Sequence, residues 1–598
     1  MHSRKGKILK RLSGNLPLFL IWLAVSAVLI LVSLSQIATG IGWDPDDQLR
    51  MVQLHDWLGG QSWFDTTQYR IGEPDSQPMH WPRWVELPLA LVFLAVRPWL
   101  DTASAETVAM VIVPLVTLGI MMWLMLKVTE PLFGRAIALL AAALTTTAVP
   151  IIAQIRPMRV DHHGWQIVLA LSALWTMYWP EKRKGGIALG AALALWLSIS
   201  LEGLPLSAAF VVLLVWRWVF QVEEGVRLFW TLLSFLVTSF LLYLVVQGGF
   251  DARVNYCDAV SPGHLLACAA GAAIILPSIK LLPAHMVLRV ASLAAAGGAA
   301  LAVLHGFAPQ CIGGAFGTMD PLVREYWLVH VLEGLPIWYQ NGTTMVTLLG
   351  GSIIVGLGSL IYIWRVRPAG LDRNRLFVLG YALLWALLLS LFVQRATAVA
   401  AAYGVPFMAW AVHQAFVRAR ALKRPLSRIF ATAAVVFLVM PGPLAVALFN
   451  AVSDGEEPVA KAPDALACGS NDSLARLNSL PRSNILAPFD FGPRILLLTP
   501  HSVLATSHHR NDQAMADQIR IFTSAPAVAR DLLEAHNIRF IVTCDDETEL
   551  ALYAKKQPEG LWSQLAEGRK PEWLQPVHIR DTGLQVWRIV PKRLRNEL

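Results

Sequence analysis

Three side chains that commonly bind metals stand together in the sequence as Asp161-His162-His163. Apolar stretches flank them on both sides, so we expect them at the point where a membrane helix begins. Ionisable side chains at a membrane boundary are costly to leave without partners, so the cluster predicts a functional site. A second acidic cluster, Asp44-Pro45-Asp46-Asp47, follows the first apolar stretch in the same way. Whether the two clusters meet depends on the membrane topology.

The composition is that of a polytopic membrane protein. Of the 598 residues, 55% are hydrophobic and 15% are charged, and the mean hydropathy is +0.52. A soluble protein of this length carries far more charge. The net charge of +8 does not indicate nucleic-acid binding, because the basic residues are concentrated in short loops between apolar spans.

The distribution of these basic loops predicts thirteen transmembrane helices with the amino terminus in the cytoplasm. The predicted spans are 16–39, 107–126, 136–155, 166–180, 187–203, 205–220, 228–247, 264–280, 286–305, 343–364, 376–393, 397–414 and 428–449. The first is interpreted as an uncleaved helix, since no small-residue cleavage site follows a short apolar core. Segment 86–98 is interpreted as a helix on the outer face, because a further crossing would place the basic loop 182–184 outside.

Residues 451–598 have a soluble composition and predict an outer, periplasmic α/β domain that follows a membrane domain at 1–450. The catalytic outer loops of the membrane domain are predicted at 40–105, 156–165 and 306–342. Within the outer domain, the apolar runs 495–498 and 540–543 are predicted as buried strands, and 524–535 and 547–556 as helices. The expected fold class is therefore a membrane all-α protein with a C-terminal soluble α/β domain.

Four of the five cysteines are predicted on the outer side. Cys257 and Cys311 fall in outer loops, Cys468 and Cys544 fall in the outer domain, and Cys268 lies within a span. An even number outside fits pairing in an oxidising compartment, and free thiols fit the sequence equally well.

With this topology, several polar residues face the same side of the membrane. They are the acidic cluster that begins at Asp44, the pair Asp161 and His163, Glu333 in the long loop, and Arg395 at the outer end of the eleventh span. Carboxylates with a neutral imidazole suit a divalent cation, and arginine is the usual partner of a phosphate. The combination suggests chemistry on a phosphorylated lipid.

The layout resembles that of the catalytic subunits of oligosaccharyltransferases, in the GT-C superfamily of membrane glycosyltransferases. Asp44-Pro45 with Arg50 is similar to the start of the first outer loop in that family, and Asp161-His162-His163 is close to its archaeal Asp-His-His motif. Glu333, with the Pro and Trp that follow it, is similar in spacing to the end of the fifth outer loop. Arg395 stands where the family has an arginine that meets the donor phosphate.

The resemblance implies a site and a reaction. Asp44, Asp161, His163 and Glu333 would bind a divalent cation, Mn²⁺ or Mg²⁺, and Arg395 would contact the donor phosphate. Asp44, Asp161 and Glu333 would be the catalytic carboxylates, with Asp44 or Glu333 orienting the acceptor. The donor would be a polyprenyl-linked sugar, and the acceptor a glycan, lipid or protein at the outer face of a bacterial inner membrane.

One motif departs from the family pattern. The Trp-Trp-Asp-Tyr-Gly sequence that reads the acceptor in oligosaccharyltransferases is Ala-Pro-Phe-Asp-Phe-Gly at 487–492, in which Asp490 and Gly492 match but the tryptophan pair is absent. Those tryptophans belong to the pocket for the Ser or Thr of an Asn-x-Ser/Thr acceptor, so sequon recognition is not carried over. Asp490, His508 and His509 are the candidate acceptor contacts.

Other interpretations of the sequence stay open. The chain could transfer a single sugar from a polyprenyl monophosphate, transport a lipid or solute, or be a non-catalytic assembly subunit. Transporters tend to place ionisable groups near the middle of the bilayer, whereas here they gather at one mouth. Structural roles are also open: Asp44 as a helix cap, Glu333 as an interfacial carboxylate, Arg395 as a headgroup contact and Glu202 as a satisfied helix-end carboxylate.

Overall fold

The computed structural model describes residues 2–251, 253–439, 468–544 and 548–591. These residues form two compact units. The helical unit comprises the described residues of 2–38, 87–317 and 332–439, and the mixed unit comprises those of 39–86, 318–331 and 468–591. The predicted boundary at 450/451 lies outside the described residues.

Long apolar helices make up the helical unit. Within the described part of the chain, eight are long and apolar enough to cross a membrane: Asn15–Val32, Thr102–Phe133, Leu201–Phe220, Val222–Gln247, Pro262–Leu281, Met286–Phe307, Arg373–Phe392 and Gln394–Arg420. Two helices bent by 54°, Gly342–Leu349 and Gly351–Val366, make a ninth if they form one span. In four of the eight, at most 22% of the apolar window is buried inside the protein. Exposed apolar helices suit a lipid environment, because a helix satisfies its own backbone hydrogen bonds. The protein is therefore a membrane protein, and the count of thirteen spans stays a prediction.

Shorter helices cover the other predicted spans. They are Arg135–Leu144, Val149–Ile152, His163–Met177, Lys182–Ile199 and Pro425–Val439. The last of the predicted spans extends to 449, and its part beyond 439 lies outside the described residues. Segment 86–98 contains the helix Glu86–Val96, while its predicted position on the outer face stays a prediction.

Glycines let one pair of helices in this unit pack closely. Lys182–Ile199 runs against Gly225–Gln247, and a Cβ at Gly186 or Gly190 would lie only 2.6 Å or 2.3 Å from a backbone oxygen of the facing helix. A Gly-x-x-x-Gly spacing places both glycines on one face, as in many helix pairs in membranes. This packing fixes the helix that leads into the turn Leu201–Gly203, which carries part of the site.

The mixed unit contains a five-stranded sheet. Its strands are β1 (Asn484–Leu486), β2 (Ser502–Val503), β3 (Ile538–Thr543), β4 (Leu574–Pro576) and β5 (Gln585–Ile589), in the order β2-β1-β3-β5-β4. Strands β2, β1 and β3 are parallel, whereas β3, β5 and β4 are antiparallel. The helices of this unit are Pro45–Leu58, Pro321–Tyr326, Asn471–Ala475, Gly492–Leu498, Asp512–Thr523, Pro526–Ala535, Thr548–Lys556 and Leu561–Ala566.

The first outer loop is built into the core of the mixed unit. Ile71 pairs with Val503 at the edge of the sheet, and Gly72 N donates to Val503 O at 3.0 Å. The Arg70 guanidinium donates to the carbonyl of Leu496 at 2.7 Å. Burial of the apolar loop residues against the sheet therefore makes segment 39–86 an integral part of this unit.

The structure corrects one secondary-structure prediction. The run 495–498 is not a strand but the end of the helix Gly492–Leu498, which has a proline in its first turn. A four-residue apolar run has no periodicity that separates a strand from a buried helix, and Pro493 favours a helix start. The predictions of helices near 524–535 and 548–556 and of a strand at 540–543 are confirmed.

Candidate active site

The cluster at positions 161–163 is buried at the start of the helix His163–Met177. The Asp161 Oδ1 atom lies 2.6 Å from His162 Nδ1, and its Oδ2 atom lies 3.1 Å from His163 Nε2. Arg159 Nη2 approaches the same Oδ2 atom at 3.7 Å. Burial raises the pKa of the Asp161 carboxyl, but the two imidazoles and Arg159 outweigh it, so the pKa lies well below its usual range. Asp161 is therefore a carboxylate at neutral pH.

This cluster fits a divalent cation. One ligand atom from each of Asp161, His162 and His163 lies within 4.8 Å of the others. Two ligands of one ion, each about 2.0–2.2 Å from it, lie roughly 3 Å apart, which matches the 3.1 Å between Asp161 Oδ2 and His163 Nε2. Carboxylate oxygens suit Mg²⁺ or Mn²⁺ and imidazole nitrogens suit Zn²⁺, so this mixed set fits a divalent cation without selecting one.

Arg395 lies between two carboxylates. It belongs to the turn Gln394–Ala396, which separates the helices Arg373–Phe392 and Thr397–Arg420. Its Nη1 atom lies 2.5 Å from Glu202 Oε1, and its Nη2 atom is paired with Glu333 Oε1. Burial raises the pKa of Glu333, but the charge of the Arg395 guanidinium lowers it by a larger amount, so the pKa lies below its ordinary value. Glu333 is therefore ionised beside Arg395.

Gln166 links the two groups of residues. Its Nε2 atom lies 3.2 Å from His163 Nδ1 and 3.5 Å from Glu202 Oε2. The Trp196 indole donates to Gln166 Oε1 at 3.4 Å. Asp161, His163, Glu333 and Arg395, which the sequence singles out, thus belong to one polar cluster of the helical unit.

Three members of this cluster were not selected from the sequence as site residues. Gln166 lies one helical turn after His163, a spacing that places both side chains on one face of a helix. Glu202 was interpreted as a helix-end carboxylate, whereas it pairs with an arginine 193 positions away in the sequence. Arg159 stands two positions before Asp161, where only the proximity of opposite charges could have indicated it.

Asp44 belongs to the mixed unit and caps a helix there. It is the N-cap of Pro45–Leu58, and its side chain accepts from Asp47 N at 3.0 Å while Asp47 Oδ2 accepts from Asp44 N at 3.3 Å. This reciprocal arrangement satisfies two backbone donors at the start of the helix. Its role as a metal ligand stays a prediction from the sequence.

A buried ion-pair network lies in the same loop. Arg50, the arginine of the loop motif, pairs with Glu86 at 3.0 Å, and Arg83 pairs with the other oxygen of Glu86 at 3.1 Å. The Arg50 guanidinium also lies over the Trp81 ring at 4.4 Å. The side chains of all three charged residues are at most 1% exposed, so Arg50 acts in the packing of the loop.

The candidate acceptor residues lie in the mixed unit in different surroundings. Asp490 is exposed, whereas His508 is buried and its ring Nε2 lies 3.4 Å from Gln77 O. The His509 ring lies 4.3 Å, centroid to centroid, from the ring of His80 in the first loop. The structure brings His508 and His509 beside the first loop, and their contact with an acceptor stays a prediction.

The four cysteines that the sequence places on the outer side form two disulfide bonds. Cys257 is bonded to Cys311, and Cys468 is bonded to Cys544. Of the cysteines in the described residues, Cys268 is free.

Comparison with solved structures shows what this fold resembles. The archaeal oligosaccharyltransferase AglB from Archaeoglobus fulgidus, solved with an inhibitory peptide and a dolichol-phosphate, matches with a TM-score of 0.64 and 12% identity, over 93% of this chain and 72% of that chain. A structure of the Archaeoglobus fulgidus oligosaccharyltransferase tethered to an acceptor peptide with the NVT sequon gives 0.61 and 14%, over 96% and 74%. The same enzyme in complex with Zn and sulfate gives 0.56 and 15%, over 92% and 70%.

No family model and no curated protein sequence matches this chain. The likeness is therefore one of structure, and at this low identity it concerns the fold. The chain has a fold similar to that of the Archaeoglobus fulgidus oligosaccharyltransferase.

Proposed function

We propose that the protein is a membrane glycosyltransferase that moves a sugar or oligosaccharide from a polyprenyl-(pyro)phosphate donor to an acceptor at the outer membrane face. The observation that carries this proposal is the single cluster in which Arg395 is joined through Glu202 and Gln166 to His163 and Asp161. A buried carboxylate–imidazole group beside a guanidinium suits a metal ion and the phosphate of a leaving group. The fold shared with oligosaccharyltransferases supports the same reaction class.

Each residue has a part in the proposed reaction. Asp161, His163 and Glu333 hold a divalent cation, Mn²⁺ or Mg²⁺, and Asp44 is the further ligand predicted from the sequence. A bound divalent cation supplies Lewis-acid stabilisation of charge on the leaving phosphate. Arg395 donates charge-assisted hydrogen bonds to the same phosphate, which strengthen as its negative charge grows in the transition state. A carboxylate, Glu333 or Asp44, orients the acceptor nucleophile.

The acceptor is proposed to be a saccharide, lipid or protein that reaches the outer leaflet. One oligosaccharyltransferase with this fold is tethered to a sequon peptide, but the two positions before Asp490, where the tryptophan pair is expected, hold Pro488 and Phe489 here, both buried. A membrane-associated acceptor suits the exposed apolar helix Glu86–Val96, which is predicted to lie at the outer face. The protein is proposed to reside in a bacterial inner membrane with domain 451–598 in the periplasm.

The test offers the purified enzyme a lipid-linked sugar donor, Mn²⁺ or Mg²⁺, and either a sequon peptide or an extracted outer-leaflet glycolipid. We expect a glycosylated lipid that disappears when the cation is chelated. Sequon-dependent glycosylation of the peptide would overturn the inference that this chain does not recognise a sequon, and it would leave the donor chemistry intact.

A matched variant controls this assay. Glu130→Gln removes a half-exposed pair with Arg135, at 3.2 Å in the helical unit, and should transfer sugar at the wild-type rate. Absence of transfer to either acceptor, with the wild-type enzyme folded and supplied with the cation, would count against the glycosyltransferase itself.

A further inference from the structure

Glu202 is a carboxylate of the cluster to which the proposed reaction gives no part. Its Oε1 atom lies 2.5 Å from Arg395 Nη1, and its Oε2 atom lies 3.5 Å from Gln166 Nε2. One carboxylate therefore touches both the guanidinium expected to bind phosphate and the amide that lies against the His163 ring. This position lets Glu202 act on the anion and cation subsites at once.

Both carboxylates that pair with Arg395 lie in short turns. Glu202 lies in Leu201–Gly203, where Gly203 N donates to Ser200 O at 3.2 Å. Glu333 lies in Leu332–Gly334, where Leu335 N donates to Leu332 O at 3.1 Å. Glu202 is the one of the two that also contacts Gln166.

The formal charges around Arg395 make the arrival of an anion unfavourable. Three carboxylates, those of Asp161, Glu202 and Glu333, face the two guanidinium groups of Arg159 and Arg395. These five groups together carry a formal charge of −1, which repels a phosphate. A divalent cation changes the sign of that charge to +1.

We propose that Glu202 is a positioning residue that makes phosphate binding at Arg395 depend on prior binding of the divalent cation. The inference rests on the proposed function and goes beyond it by giving the order of ligand binding. Glu202 occupies one edge of the Arg395 guanidinium and keeps the cluster negative until the cation has bound. Its side chain is 45% exposed and that of Arg395 is 22% exposed, so the pair is not sealed inside the protein.

Glu202→Gln tests this inference because the amide keeps the size of the side chain and removes its charge. Two affinities are measured on the purified full-length protein: that of Mn²⁺ alone, by electron paramagnetic resonance, and that of inorganic pyrophosphate in EDTA, by calorimetry. We expect Mn²⁺ to bind about three- to tenfold more weakly and pyrophosphate without metal to bind about three- to tenfold more tightly, the range for one partly exposed charge near each ligand.

The affinities for Mn²⁺ and pyrophosphate are expected to change in opposite directions, and this distinguishes the proposed role of Glu202 from a structural one. Damage to the fold would weaken both affinities, whereas loss of the Glu202 charge alone should weaken one and strengthen the other. In the double variant Glu202→Gln with Arg395→Ala, the gain in pyrophosphate affinity should disappear, since that gain acts through the guanidinium. Glu130→Gln should change neither affinity.

The outcomes distinguish this inference from the proposed function. If the wild-type protein binds Mn²⁺ and Glu202→Gln changes neither affinity, or changes both in the same direction, the role of Glu202 is overturned and the proposed function stands. If the wild-type protein binds no Mn²⁺, the metal-assisted function is overturned together with the inference.

Discussion

Replacement of Asp161 by asparagine should remove cation binding while the protein stays folded. The asparagine side chain keeps the size of the original and one oxygen, but it lacks the negative charge that faces His162 at 2.6 Å and His163 at 3.1 Å. Loss of a hydrogen-bond partner behind a ligand costs 10- to 100-fold in metal affinity, so loss of an anionic ligand should exceed about 100-fold, or roughly 3 kcal/mol. Sugar transfer should disappear with it.

The cost to the fold is smaller for a geometric reason. Arg159 loses a carboxylate that lies at 3.7 Å, but it keeps the Gln154 side-chain oxygen at 3.4 Å. The variant loses this long ion pair and the charge in the contacts with His162 and His163, but it keeps a side chain of the same size there, so we expect a cost of about 1–3 kcal/mol. The variant should therefore elute as the wild type does and keep its helical circular dichroism.

The assay is a Mn²⁺ titration of the wild-type and variant proteins followed by electron paramagnetic resonance. Asp251→Asn is the control, since Asp251 forms an exposed pair with Arg253 and lies outside the cluster. A folded Asp161→Asn variant with wild-type Mn²⁺ affinity and turnover would refute the ligand role of Asp161.

Two predictions concern stability in the mixed unit. Glu86→Gln should lower the free energy of unfolding by about 3–5 kcal/mol, because it leaves two buried guanidinium groups without their carboxylate; an unchanged melting temperature in detergent would contradict this. The pKa of Asp517 lies below its ordinary value of 3.8 because His536 hydrogen-bonds the carboxylate. Its contribution to stability should be present above pH 3.8 and lost as the pH falls through the lower pKa of the folded state. Asp517→Asn should therefore be less stable than wild type at pH 6, and the difference should shrink as the pH falls below 3.8.

The sequence singled out four residues of the candidate site, but not Glu202, Gln166 and Arg159, which contact them. Asp161, His163, Glu333 and Arg395 could be selected because each residue type stands at a chemically meaningful position in a short motif. Glu202, the second partner of Arg395, could not be selected from the sequence. A carboxylate at the end of an apolar span has the same local pattern whether or not an arginine reaches it. Only the packing of the helices brings Glu202 to Arg395 across 193 positions.

The same limit explains what was missed in the first outer loop. Its apolar residues were expected to serve a membrane domain, but Ile71 and Trp81 pack with Ile485 and Val542 in the core of the mixed unit. Hydrophobicity predicts that a side chain is buried, and it carries no information about the segment that buries it. The buried Arg50–Glu86 pair was hidden for the same reason, since its partners are 36 positions apart.

Asp44 has one interpretation that the structure decides and one that stays a prediction. The sequence offered a helix cap or a metal ligand, and the capping box with Asp47 establishes the cap. A cap fixes the rotamer of the side chain, and a fixed rotamer lowers the entropy that a ligand loses when it binds a cation. The structural role of Asp44 therefore supports its predicted chemical role.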